Sequence, residues 1–211
     1  MYKELIEKLK RAQIEAFYAP NSEKARETVV EIIEKKRTLC GKSAKDMRVS
    51  WGGSMTLDQS GIRALVSEKY NALNPYASSD PREQYEAKRQ AMLSDVFLMS
   101  ANALTENGEI VNIDGNGNRL GALIYGPDTV IIVVGKNKIV PSLRDAHARV
   151  KSIACPKNAA RLKRATPCAE NGVCGNCYIG GQTICAHTVV TRFSTMPERI
   201  KLIIVGEELG Y

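Results

Sequence analysis

The sequence predicts an α/β domain on a largely parallel sheet, and three observations carry that expectation. Helical and strand periodicities alternate along the chain, with no internal repeat and no low-complexity tract. Thr129–Val134 is a nearly continuous apolar run bounded by Asp128 and Gly135, the pattern of a strand buried on both faces of a sheet. The composition is that of an ordinary globular protein. Its 211 residues are 44% hydrophobic and 25% charged, which excludes a disordered or collagen-like chain and suits one medium-sized domain.

Leu5, Ile6, Leu9, Ala12, Ala16 and Phe17 recur three or four apart, so the chain is expected to open with a helix. Pro20 breaks that run. Asn21-Ser22 can cap a second helix, with Glu23 at its positive end and Ala25, Val29, Ile32 and Ile33 on one face. This helix stops near Cys40-Gly41. Residues 1–45 therefore read as an N-terminal helical segment packed on the core, and 46–211 as the α/β domain. Within the latter, Met47–Trp51 is a short strand, Leu57–Val66 a helix and Asn71–Pro81 a weakly structured connector. Arg82–Leu93 forms a helix that feeds the strand Asp95–Met99. Glu109–Ile113 and Leu120–Tyr125 flank Asp114-Gly-Asn-Gly-Asn118, which predicts a hairpin with a glycine turn. Pro141 opens a helix reaching about Ala154, and Pro156 starts another. A cysteine-rich segment at 166–187 is then inserted before two closing strands, Thr188–Phe193 and Ile200–Val205.

Several classes of function are disfavoured. The longest apolar run, Val130–Gly135, is far short of the ~20 residues of a membrane-spanning helix, so no span is expected. Met1–Lys10 carries charges at every second or third position and has no signal-peptide core, and a cytoplasmic protein is expected. Thirty Lys and Arg against 23 Asp and Glu give a net charge of +7, spread along the chain as a solvated basic surface. With one Trp, three Phe and eight Tyr, stacking platforms for nucleic-acid bases are scarce. Lys157, Arg161, Lys163 and Arg164 could contact nucleic acid beside a metal knuckle. No aromatic is interleaved, so a helix surface is the better reading and nucleic acid is not expected as a partner.

The sharpest feature is Cys168-x5-Cys174-x2-Cys177-x7-Cys185, four of the six cysteines within 18 residues. A C-x-x-C turn lets two thiolates converge on one ion, and Gly175 eases the bend. Gly172, Gly180 and Gly181 let the outer cysteines swing inward. Four thiolates suit zinc or an iron–sulfur cluster, with His187 as a substitute ligand. The spacing is that of neither a zinc ribbon nor a ferredoxin, and a reversible dithiol at Cys174 and Cys177 is the competing reading. Cys40 and Cys155, at helix ends, read as small buried apolar groups.

Three other motifs admit a functional and a plain reading. Gly52-Gly53-Ser54, between a strand and a helix, lets a ligand approach the backbone and offers amides to a phosphate, and equally forms an unliganded turn. Asp114-x-Asn116-x-Asn118 starts like a calcium loop, but Arg119 and Tyr125 stand where glycine and glutamate are required, which rejects an EF-hand. A hairpin turn or the polar rim of a ligand pocket remain. In Thr105-Glu106-Asn107-Gly108 a strand-end carboxylate could act as nucleophile or general base, or only cap its turn. His147 sits mid-helix among charges, and no Ser-His-Asp arrangement is legible.

The segments Ser94–Arg119 (SDVFLMSANALTENGEIVNIDGNGNR) and Gly126–Gly135 (GPDTVIIVVG) resemble the lactate-utilisation (LUD) domain family. The tail from Thr166-Pro-Cys168 through Ile184-Cys185 to Arg199–Gly210 is similar to a cysteine-tailed branch of that family. The resemblance implies a Rossmann-like three-layer sandwich of the ribose-5-phosphate isomerase, glucosamine-6-phosphate deaminase and CoA-transferase superfamily. It also implies an accessory, redox-associated role in organic-acid metabolism of the lactate type, with iron–sulfur redox proteins as partners. CoA-transferases of the superfamily use a glutamate in a Glu-Asn-Gly setting to form an acyl-enzyme thioester. Carried over, that makes Glu106 the nucleophile, with Asn107 and Gly108 shaping its turn and Gly52 and Gly53 near a phosphate or CoA moiety. An active site of that kind joins two such domains, which implies a homodimer.

Overall fold

The computed structural model describes residues 2–175, 177–178 and 181–211, so Gly180, expected to loosen the cysteine turn, lies outside the described residues. In order the chain forms α1 (Tyr2–Arg11), β1 (Glu15–Ala19), α2 (Ser22–Leu39), β2 (Arg48–Trp51), α3 (Met55–Gln59), α4 (Ile62–Lys69) and β3 (Asn71–Leu73). There follow α5 (Pro81–Ala91), β4 (Val96–Met99), β5 (Ala103–Thr105), β6 (Ile110–Asp114), α6 (Asn118–Tyr125), β7 (Thr129–Gly135) and β8 (Ile139–Val140). The last elements are α7 (Leu143–Arg149), α8 (Cys155–Arg161), α9 (Pro167–Asn171), β9 (His187–Thr191) and β10 (Ile200–Val205). A short 3₁₀ turn, Lys136–Lys138, links β7 to β8, and a π-helical stretch, Val150–Ala154, links α7 to α8.

Six strands form one sheet in the order β1-β10-β7-β4-β2-β3, and every neighbouring pair is parallel. This is the α/β architecture the sequence predicts. All seven residues of β7 are buried, because both faces of the sheet are covered. Ile131 and Val133 face α2, α3 and α4, packing with Val29, Ile33, Leu57 and Ile62. Val130, Ile132 and Val134 point the other way, toward α1, α5 and α6, among Leu9, Ala91 and Leu123. Side chains of a strand alternate between faces, so an unbroken apolar run is what two buried faces require.

A second, four-stranded sheet in the order β8-β5-β6-β9 packs against the main one through Leu104 and Ile110. Its other face, with Ala103 and Val111, meets Ala146 and Val150 around α7. Among the described residues no helix is long and apolar enough to cross a membrane.

Two expectations are corrected. Ala16 and Phe17 belong to β1, an edge strand of the main sheet, so the stretch 1–45 is not wholly helical. The first helix stops at Arg11. Gln13 takes a left-handed φ of 60°, while its N–H donates to Lys10 O (2.9 Å) and that of Ile14 to Leu9 O (3.0 Å). This is a Schellman cap with glutamine where glycine is usual, which leaves no stop signal in the sequence. Secondly, Leu120–Tyr125 lies within α6, not in a hairpin. The hairpin joins β5 to β6 through Glu106–Gly108, and Gly108 supplies the positive φ of 89°. Asp114–Gly117 instead leads from a strand into a helix, with Gly117 at φ 78°.

Arg199, immediately before β10, binds α6 to the sheet. Its buried guanidinium donates to Leu123 O (2.7 Å), Ala122 O (2.8 Å) and Pro127 O (3.0 Å), filling carbonyls that a helix C-terminus leaves open. A planar fork can reach all three, and an ammonium cannot. Arg199→Lys is expected to lower unfolding free energy by about 1–3 kcal/mol, read from urea denaturation.

Candidate functional site

In an open parallel sheet the chain turns away at the carboxyl ends of the strands, where backbone groups and loops converge on a crevice. Here that edge holds a cavity of about 450 Å³. Gly53-Ser54-Met55 enter its wall after β2, Ser100-Ala101-Asn102 after β4 and Lys138 after β7. The turn after β6 adds Asp114, Gly115 and Asn116, and the start of α6 adds Asn118 and Arg119. Asn158, Arg161 and Arg164 come from α8 and the chain beyond it, and Gly181, Thr183 and Ile184 from the approach to β9.

The cavity is strongly basic. Lys138 is 3% exposed, and its ammonium donates to Thr56 Oγ1 (2.8 Å) and Ser100 Oγ (3.0 Å). Among the described residues no carboxylate pairs with it. Burial, with Arg149 and then Arg119 nearby, pushes its pKa down from 10.5 to about 7. Desolvation penalises the ammonium and two guanidinium charges repel it, so both causes act in the same direction. Arg149 is itself committed to structure, donating to Asn137 O (3.0 Å) and Asn102 O (2.5 Å).

Arg119 is a second, half-buried cation of the cavity lining. Its Nε lies 3.2 Å from Asp114 Oδ2, and an Nη donates to Ile113 O (2.7 Å). The aliphatic stem lies directly on Gly52: a Cβ at that position would stand 2.5 Å from Arg119 Cγ. The bare backbone of Gly52 thus accommodates the Arg119 side chain. The Gly53 N–H donates to Tyr76 Oη (2.8 Å), and Ser54 Oγ accepts from the N–H of Leu57 (3.3 Å). At the rim, Arg161 donates to Tyr211 Oη (2.7 Å) and Asn158 Oδ1, and the Lys88 ammonium sits 5.3 Å above the Tyr76 ring.

Of the residues singled out from the sequence, Gly53, Ser54, Asp114 and Asn116 come together on this cavity, and Gly52 lies just beneath. Glu106, Asn107 and Gly108 do not line it. They form the tip of the β5–β6 hairpin over α1, where Lys8 Nζ donates to Glu106 O (2.9 Å) and Asn107 Oδ1 (3.2 Å) and Gly108 packs on Leu9. The exposed Glu106 carboxylate is on this hairpin tip, and the Glu106 N–H donates to Val140 O (2.9 Å) in β8.

The structure adds Cys155 to the neighbourhood of the C-terminal cysteines, with Cys185 in contact and Cys168 and Cys174 near enough to act on it electrostatically. Cys174 is exposed, Cys168 and Cys177 are half-buried, and Thr166 Oγ1 lies 3.4 Å from Cys168 Sγ. Among the described residues no group of three or more His, Cys, Asp or Glu side chains is arranged to hold a metal ion. Instead Cys185 faces Cys155, with their sulfurs 3.2 Å apart. The hydrogen bond with Cys155 brings the more exposed Cys185 thiol down to about 7, and that same contact, then burial, pushes Cys155 up. Cys155 is buried as expected but is not merely apolar filling, and Cys40 is exposed rather than buried.

Sequence reasoning did not find Lys138, Arg119 or Tyr211. Lys138 carried a usable signal, since it lies just past the carboxyl end of the most apolar strand, where ligands meet parallel sheets. Arg119 and Tyr211 are brought in by tertiary structure alone.

A DUF162 family protein from Deinococcus radiodurans has a similar fold, with a TM-score of 0.54 at 12% identity, covering 97% of this chain and 95% of that one. Ribose 5-phosphate isomerase A from Methanocaldococcus jannaschii aligns over 63% of this chain and 66% of its own at 12% identity, with a TM-score of 0.29. No match was found among curated proteins. The LUD domain model matches residues 2–205, nearly the full length described above, and the chain belongs to the LUD domain family.

Proposed function

We propose that the cavity binds a small hydroxylated organic anion, a carboxylate or phosphate ester of lactate-type organic-acid metabolism, with Lys138 as its anchor. The observation that supports this reading is a buried ammonium held by two hydroxyls and paired with no carboxylate among the described residues. A buried cation is costly unless it is paired, so such a group is suited to a partner that arrives with the opposite charge. Arg119, Arg161, Arg164 and Lys88 add to the positive potential, and Asp114 is the carboxylate that offsets it. Asn102, Asn116, Asn118 and Asn158 provide amides that both donate and accept, which suits hydroxyl groups on the ligand. Membership of the LUD family supports the organic-acid side of the reading.

Calorimetric titration with L-lactate, pyruvate and inorganic phosphate tests it. One or more of these should bind, and Lys138→Met should weaken that binding by about 10- to 100-fold, the effect of losing a hydrogen bond from a charged donor. Unchanged affinity in the variant would remove Lys138 as the anchor, and silence toward all three would sink the reading.

The pH dependence has a definite sign. Anion binding favours the charged ammonium, so affinity should fall as pH rises through about 7. The inflection should move upward as the anion stabilises the charge. Stability of the free protein should run the other way. From about 7 up to 10.5 the unfolded chain holds a proton on Lys138 that the folded chain has shed. Unfolding free energy therefore rises with pH over that window, and below it the cost of the buried charge is felt in full. Urea midpoints should increase across this range in the wild type, and the component due to Lys138 should be missing in Lys138→Met.

A further inference from the structure

We propose that Cys155 and Cys185 are a reversible disulfide-forming pair that ties the intervening segment, and one wall of the cavity, to the body of the protein. The sulfurs are 3.2 Å apart, and a disulfide requires about 2.05 Å, so a small side-chain adjustment closes the bond. The two cysteines have different surroundings. Cys155, the first residue of α8, is fixed in the core formed by Ala103, Val111, Ala146 and Val150. Cys185 is half-buried at the approach to β9 and packs against that same core. Its N–H donates to Thr183 Oγ1 (3.1 Å), and Ile184 lies against Gly115.

Chemically, the accessible Cys185 is the entry point. Its thiolate attacks one sulfur of a small-molecule disulfide such as glutathione disulfide, forming a mixed disulfide and releasing one thiol. Cys155 then attacks the Cys185 sulfur, and the second thiol leaves. In sum, two protein thiols and one small disulfide become one protein disulfide and two small thiols. The protein is oxidised by two electrons and the small disulfide is reduced. Excess dithiol reverses both steps. The loop so closed runs from α8 to β9 and includes Arg161, Arg164, Thr183 and Ile184, all on the cavity wall. This inference is independent of which anion occupies the cavity.

The test uses the full chain, reduced with a phosphine, freed of reductant and incubated with glutathione disulfide. Peptide mapping should recover Cys155 and Cys185 in one cross-linked species that fresh reductant separates. Trypsin should then cut after the exposed Lys163 and Arg164 about tenfold more slowly than in the reduced chain, a modest share of what closing a loop this long contributes. Cys185→Ser should abolish the cross-link, and mapping of the wild type stands even where Cys155→Ser fails to fold. The proposal is overturned if both thiols still alkylate after oxidation, or if the cross-links join other cysteines. It is equally overturned if a chelator must first strip a metal ion from the pair. A correct cross-link with unchanged cleavage would overturn the tying of the segment.

Discussion

The burial of β7 on both faces is the constraint from which the other features follow. With β10 and β4 hydrogen-bonded on either side and apolar layers above and below, the strand has no freedom to slide or turn over. Its register fixes where the chain emerges, and the 3₁₀ turn that follows delivers Lys138 into the interior edge of the sheet. Thr56, in the first turn of α3 after β2, and Ser100, just after the neighbouring β4, meet it there. The cationic floor of the cavity is thus a product of sheet packing. No flexible loop has to close to create it.

Much of this architecture could be read from residue patterns. The apolar runs of β4, β7 and β10 and the caps of α2 follow local rules, and the structure places them where those rules do. The misreadings have physical causes. Gln13 ends a helix in a backbone conformation that normally advertises itself by glycine. Leu120–Tyr125 was legible as alternation because its buried residues, Leu120, Ala122 and Leu123, fit a strand and a helix almost equally well over so short a span. The cavity was half legible. Turn residues such as Gly53, Ser54, Asp114 and Asn116 announced themselves by composition, but Lys138 looked like any lysine after a strand. The charge it carries matters because of what surrounds it, and surroundings 82 residues away at Thr56 do not appear in a local pattern.

Sulfur chemistry shows the same limit. Spacing grouped four cysteines near the carboxyl end and left Cys155 aside as filler. The fold brings the first turn of α8 against the approach to β9, across 30 residues of chain, so Cys185 finds a partner that proximity in sequence does not suggest. The hairpin carrying Glu106 is a contrary case. Its Glu-Asn-Gly turn was conspicuous, and it packs on α1 through Lys8 and Leu9, outside the lining of the cavity.

Gly52, just beneath the cavity, has no side chain beyond a hydrogen and yet an outsized hold on it. Arg119 can reach Asp114 only by lying flat across the bare backbone at that point. An added methyl would lever the guanidinium off its seat, and the interior would lose a fixed positive pole although no polar atom had been altered. The anion selectivity proposed for the cavity would therefore be guarded from below, by the absence of a side chain, as much as by the groups that would touch the ligand.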